Sequence, residues 1–184
     1  MAETLSTMLP LGTLAPDFQL LDTRADKQVS LQELKSNTGT VVMFICNHCP
    51  YVKHIQEKLV EVASIYQKKG ISFIAISSND VKKYPEDDPI NMREEAETNQ
   101  YTFPYLYDET QAVAKAYHAA CTPDFYIFDS GLACVYRGRF DDATPGNGHA
   151  VTGKELTLAL DAILAKQPVG QDQKPSMGCN IKWR

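Results

Sequence analysis

No hydrophobic run in this chain approaches the roughly 20 apolar residues that a membrane-spanning helix needs. Long tracts of one charge are missing as well: 18 basic and 23 acidic residues give a net charge of -5, and the two signs are interspersed. Such a pattern lacks the basic face of a nucleic-acid binder and fits a solvated surface. Internal repeats, low-complexity tracts and Gly/Ser-rich linkers are also absent, so residues 1–184 are read as one domain, with 167–184 as an extended C-terminal tail. Residues 1–10 have neither the basic start nor the apolar stretch of a signal peptide, and a cytoplasmic location is expected. No membrane and no nucleic acid is expected as a partner, no cofactor is expected, and the oligomeric state is left open.

A disulfide framework is likewise missing. The five cysteines, Cys46, Cys49, Cys121, Cys134 and Cys179, are odd in number and unevenly spaced, unlike those of a small secreted domain. Each needs its own explanation.

What is present is an alternation of strands and helices. Residues 40–45 are apolar and largely β-branched, as a strand covered on both faces must be. Residues 50–69 place Val52, Ile55, Leu59, Val62, Ala63 and Tyr66 at helical spacing, with charged residues opposite and Gly70 at the end. Residues 71–76 read as a second buried strand, completing a right-handed parallel crossover. Helices are expected over 89–99 and 110–119. Residues 125–128 and 133–136, joined by Asp129-Ser130-Gly131, read as an antiparallel hairpin, and 154–166 as a closing helix. A further short hairpin is expected from 18–20 and 28–31. The fold class is therefore α/β, with a central mixed sheet of parallel crossover plus antiparallel hairpin, flanked by helices.

Cys46-Asn47-His48-Cys49 stands where the central strand gives way to the helix. Amides and dipole at a helix start favour thiolate over thiol, and thiolate is the form that attacks a disulfide or a peroxide. His48, if protonated, adds positive charge beside both sulfurs, and Lys53 is placed to act on Cys49 from one turn away. Pro50 suits the first helical position, which makes Cys49 the N-cap and the sulfur nearest the unpaired amides. A purely structural reading makes Cys46 a buried strand-end residue and Cys49 an inert cap. A metal reading takes Cys46, His48, Cys49 and Cys179 as four ligands, although this spacing is tighter than structural zinc sites use. Thr122-Pro123 lies at a strand entrance, where a proline that cannot donate to a ladder is tolerated. Cys134, on an apolar run, is read as a packing residue. Cys121, next to that proline, and Cys179, in a tail without periodicity and so with reach, are candidate auxiliary thiols. Trp183 is expected to anchor the tail's end.

These residues resemble the thioredoxin-like superfamily, and more narrowly the peroxiredoxin-like branch of the alkyl hydroperoxide reductase and thiol-specific antioxidant family. The likeness runs from Leu14-Ala15-Pro16-Asp17-Phe18 through Cys46-Asn47-His48-Cys49-Pro50 and Thr122-Pro123 to Gly178-Cys179-Asn180. It implies a cis-proline at Thr122-Pro123 that faces the cysteine pair and docks substrate. It also implies thiol-disulfide exchange through Cys46 and Cys49, with protein or small-molecule thiols and disulfides as partners. Two assignments stay open. In a thioredoxin-type protein Cys46 attacks and Cys49 resolves. In a peroxidase Cys49 is the peroxidatic sulfur, Cys46 or Cys179 resolves it, and Arg137 or Arg139 must stand in for the arginine that polarises peroxide. A third possibility is a metal-binding or copper-delivery protein in which the cysteines act with His118 or His149.

Overall fold

The computed structural model describes residues 3–184. Its main sheet has seven strands. The middle three, β4 (Gly39–Phe44), β5 (Ile71–Ser77) and β6 (Tyr105–Tyr107), run parallel. On one side, β2 (Gln19–Asp22) joins antiparallel to β6 and carries β3 (Lys27–Ser30). On the other, β8 (Asp124–Asp129) and β9 (Cys134–Gly138) form the hairpin, with β8 antiparallel to β4. The order across the sheet is β3-β2-β6-β5-β4-β8-β9. The central strand is entirely buried because helices cover both faces of it.

Alternation along β4 divides the core in two. Val41 and Met43 face a layer built by α2 (Pro50–Gln67), α3 (Pro89–Thr98) and α5 (Lys154–Leu164). Val42 and Phe44 face the opposite layer, where Tyr117 stacks edge-on against Phe44, Tyr126 and Phe128 next to the short α4 (Ala112–Ala116). The apolar stripe of α2 is the one its spacing predicts: Val52, Ile55, Leu59, Val62, Ala63 and Tyr66 are all buried.

The crossover, both hairpins and the closing helix stand where the sequence places them. Three elements do not. Residues 110–119 hold only one short helix, α4. Ser30 and Glu33 form a capping box that opens α1 (Leu31–Leu34), so the expected strand over 28–31 gives way to a helix at Leu31. The third departure is the largest. The C-terminal segment is no free tail, since β10 (Met177–Asn180) is the middle strand of a second, three-stranded sheet. There it pairs antiparallel with β1 (Glu3–Leu5) and with β7 (Cys121–Thr122). Beyond β10, the Ile181 amide donates to Ala120, the Lys182 amide donates to Asn79, and the Asp80 amide donates to the Lys182 carbonyl. Ile181 and Lys182 are buried and Trp183 is 39% exposed, so the two residues before the tryptophan carry more of the anchoring than the tryptophan itself.

Candidate active site

The loop Cys46-Asn47-His48-Cys49 bridges β4 and α2, and a 3-10 turn at Pro85–Asp87 holds it. Asp87 is fully buried and collects three donors there. The Asn47 amide reaches its Oδ1 at 2.8 Å, and Asn79 and His48 reach its Oδ2 at 2.8 and 2.6 Å. Asn47 in turn donates to the Glu86 carbonyl and accepts from the Tyr105 hydroxyl. His48 stacks on Tyr84, the ring centroids 5.2 Å apart. A buried carboxylate is tolerated only when its lone pairs are filled, and here they are filled by groups that fix the loop.

Cys49 is the N-cap residue of α2, in extended conformation, with Pro50 next and exposed. Its thiol donates to the Thr122 carbonyl oxygen at 3.2 Å. The Cys46 sulfur lies 3.5 Å from the Thr122 hydroxyl. The Thr122-Pro123 peptide is cis, and Pro123 is buried beside the pair. Neither sulfur is open to solvent, with Cys49 at 0% and Cys46 at 2% exposure. All five cysteines are free thiols.

The two sulfurs differ electrostatically. The neighbouring Cys46 thiol is the main cause that holds Cys49 well below the usual thiol range. Burial opposes it, and the Cys179 thiol, Thr122 and the Val52 amide add to it. Cys46 is pushed well above that range, first by the same interaction with Cys49, then by burial and by the Asp87 charge. Of the two sulfurs, Cys49 is the one whose surroundings favour ionisation, and Cys46 the one whose surroundings favour keeping its proton.

The supporting residues sort out differently from expectation. His48 is turned to Asp87, whose hydrogen bond raises its pKa, and it joins Cys46 and Asp87 instead of standing beside both sulfurs. Lys53 is exposed and lines a shallow depression with His48, Glu86 and Glu94. It is not among the leading causes of the Cys49 shift. Side chains alternate along β7, so Thr122 faces the pair while Cys121 points away, toward the carbonyls of Pro123 and Ser176. Burial is also the first cause that raises the Cys121 thiol. Cys134 is buried, as a packing residue should be. Arg137 donates to the Leu9 carbonyl and to Gln173, and Arg139 is paired with Glu155 at 2.6 Å, so both guanidiniums are committed away from Cys49.

The histidines of the metal-delivery expectation fare no better. His118 and His149 are exposed, and His149 is paired with Asp142. Among the described residues, the group of His, Cys and acidic side chains close enough to share an ion is Cys46, His48 and Asp87. Its carboxylate is already filled by three donors. Sequence reasoning missed Asp87, Asn79, Tyr84 and Tyr105. The only signal was an acidic stretch at 86–88, which reads as solvated surface.

A cleft of about 470 Å³ opens beside Pro123, lined by Leu5, Tyr51, Ile55, Arg139 and Met177 among others. Leu5 and Met177 are exposed at its rim. Among the described residues, no helix is long and apolar enough to cross a membrane.

Known proteins share this architecture. An uncharacterized conserved protein from Geobacillus kaustophilus is 58% identical and superposes with a TM-score of 0.99, covering 100% of this chain and 97% of that one. The thiol-disulfide oxidoreductase ResA of Geobacillus thermodenitrificans is 26% identical over 126 residues, 68% of this chain and 67% of that protein. The thioredoxin domain of a thiol-disulfide oxidoreductase from Bacteroides vulgatus shares the fold at a TM-score of 0.62 and 17% identity, over 73% of this chain and 92% of that one. Residues 11–135, most of the main sheet together with the cysteine loop and Pro123, match the AhpC/TSA family, and the chain belongs to that family.

Proposed function

We propose that this protein is a thiol-disulfide oxidoreductase in which Cys49 attacks and Cys46 resolves. The observation that carries the reading is the placement of Cys49. It is the N-cap of α2, next to Cys46, and faces the Thr122 carbonyl just before Pro123. The relationship to thiol-disulfide oxidoreductases supports the same chemistry.

The steps follow from the electrostatics. The Cys49 thiolate attacks one sulfur of a disulfide substrate, the other substrate sulfur leaves as a thiolate and takes up a proton, and a mixed disulfide remains on Cys49. The chief cause of the raised Cys46 pKa then disappears, because Cys49 no longer carries charge. Cys46 loses its proton, attacks Cys49 and releases the second substrate thiol, leaving a Cys46/Cys49 disulfide. An external dithiol returns the pair to its reduced state. Substrates are therefore thiols and disulfides, and the cleft beside Pro123, lined by apolar and charged side chains alike, provides a seat for what is attached to them. A cytoplasmic setting, whose reductants keep such a pair cycling, belongs to the same reading.

The test uses bis(2-hydroxyethyl) disulfide with dithiothreitol as reductant. Cys49→Ser is expected to lose both the first thiol release and turnover. Cys46→Ser is expected to keep the first release while turnover falls about tenfold or more. Near wild-type turnover in Cys49→Ser sinks the assignment. If the disulfide leaves Cys49 untouched while hydrogen peroxide converts it rapidly to sulfenic acid, a peroxidase takes its place.

A further inference from the structure

Beside the same loop lies a third sulfur that the exchange steps above do not use. Cys179 lies on β10 opposite Thr122 of β7 in antiparallel register. Residues directly opposite in such a pair project to the same face, so Cys179 and Thr122 both point toward the Cys46/Cys49 loop. The three cysteines share one buried cluster with Val52 and Ile55 of α2.

The approach of β10 is close. A Cβ on Gly178 would lie 1.9 Å from the Thr122 carbonyl oxygen, the atom that accepts the Cys49 thiol. The backbone edge next to the cis-proline, where an extended substrate segment would add as a strand, is thus already occupied by the chain's own β10. Cys179 stands in that strand where a substrate cysteine would stand, opposite Cys49.

Resting on the assignment of Cys49 as the attacking sulfur, we propose that β10 is a built-in substrate strand and that Cys179 is a second exchange partner of Cys49. The Cys179 sulfur attacks Cys49 within the Cys46/Cys49 disulfide. A Cys49/Cys179 bond forms as the Cys46/Cys49 bond breaks. Cys179 gives up a proton, Cys46 leaves as thiolate and takes one up, and no outside oxidant is consumed. The product ties β10 to the start of α2 and locks it on the edge it already occupies, so β10 can no longer yield that edge to an extended peptide disulfide. Cys179 is the slower of the two partners. Burial is the first cause of its raised pKa, and the reaction at Cys49 does not lift burial as it lifts the charge that acts on Cys46.

The experiment treats the full chain with bis(2-hydroxyethyl) disulfide, quenches by alkylation and maps the linked peptides. Cys46→Ser removes the faster partner, and Cys46→Ala repeats the test where serine perturbs the loop. In both, a Cys49/Cys179 linkage is expected as the main product, with a mixed disulfide on Cys49 passing through and decaying. Adding Cys179→Ala to either variant is expected to make the mixed disulfide persist. A persistent mixed disulfide on Cys49 in the single variants, with Cys179 alkylated, overturns the latch and leaves exchange through Cys46 intact. A wild type whose Cys49 never reacts overturns both readings together.

Discussion

The main-chain oxygen of Thr122 accepts the Cys49 thiol at 3.2 Å, a contact that serves only the protonated sulfur. A carbonyl oxygen offers lone pairs, so it steadies a thiol and repels a thiolate. When Cys49 ionises it loses that partner and turns to donors, namely the Cys46 and Cys179 thiols, the Thr122 hydroxyl and the Val52 amide. The protonated and the ionised sulfur therefore have different sets of neighbours within one buried site. Thr122 belongs to both sets, through its backbone in the first and its side chain in the second.

This arrangement makes Gly178 a residue that tolerates no side chain. Its backbone approaches Thr122 so closely that an added Cβ would meet the carbonyl oxygen at 1.9 Å and the carbonyl carbon at 2.6 Å. Both are main-chain atoms that cannot rotate aside. Gly178→Ala is expected to push β10 off β7 and to cost about 1–3 kcal/mol of stability, the usual range for overpacking. Lifting the strand also uncovers Cys49, so the variant should be alkylated at Cys49 several-fold faster while folded. Urea unfolding and alkylation kinetics read the two effects. Unchanged stability would falsify the close approach of β10.

How much of this was legible in the sequence follows from what each element depends on. The crossover of β4, α2 and β5 announces itself because its burial pattern is periodic and long. β10 does not, since its strand character comes from two partners far away in the chain and not from any alternation of its own. β6 is too short at three residues for a period to show. Pro50 correctly marked Cys49 as the N-cap, because proline's preference for the first helical turn is a local property. The charges around the pair were misread because they depend on orientation. His48 turns to Asp87, and nothing in the stretch 86–88 distinguishes the buried Asp87 from its solvated neighbours.

Asp124 carries a stability prediction with a definite sign. It is fully buried next to Pro123, with Oδ2 accepting from the Tyr126 hydroxyl at 2.9 Å and Oδ1 without a partner. Burial pushes its carboxyl up to about 8. A carboxyl whose folded pKa is raised favours the fold in its neutral form, so its contribution is fully present below about pH 4 and is lost as pH rises toward 8. Asp124→Asn keeps an acceptor for Tyr126 and cannot ionise. The variant is expected to gain on wild type as pH rises through that window, by several kcal/mol at the alkaline end, since each unit of the raised pKa is worth about 1.4 kcal/mol. Thermal melts at both ends measure it, and a difference independent of pH counts against a neutral Asp124.

Cys49 should show the opposite dependence in an overlapping window, which gives the electrostatic assignment a direct check. Its sulfur is drawn down to about 5, chiefly by the Cys46 thiol. An acid whose folded pKa is depressed contributes stability that is fully present above its unfolded value, near 9 for a thiol, and lost as pH falls through the folded value. Cys46 titrates above this window, so it leaves the sign unchanged. Thiolate absorbance, which needs no access for a reagent, is expected to show one ionisation per chain with a midpoint near 5 in the native protein. Cys49→Ser should abolish that ionisation and remove the alkaline gain in stability. Cys46→Ala should raise the midpoint by about one unit or more, because it deletes the largest stabilising contact. If the low ionisation instead survives in Cys49→Ser and vanishes in Cys46→Ser, the roles of the two sulfurs are reversed and Cys46 is the nucleophile.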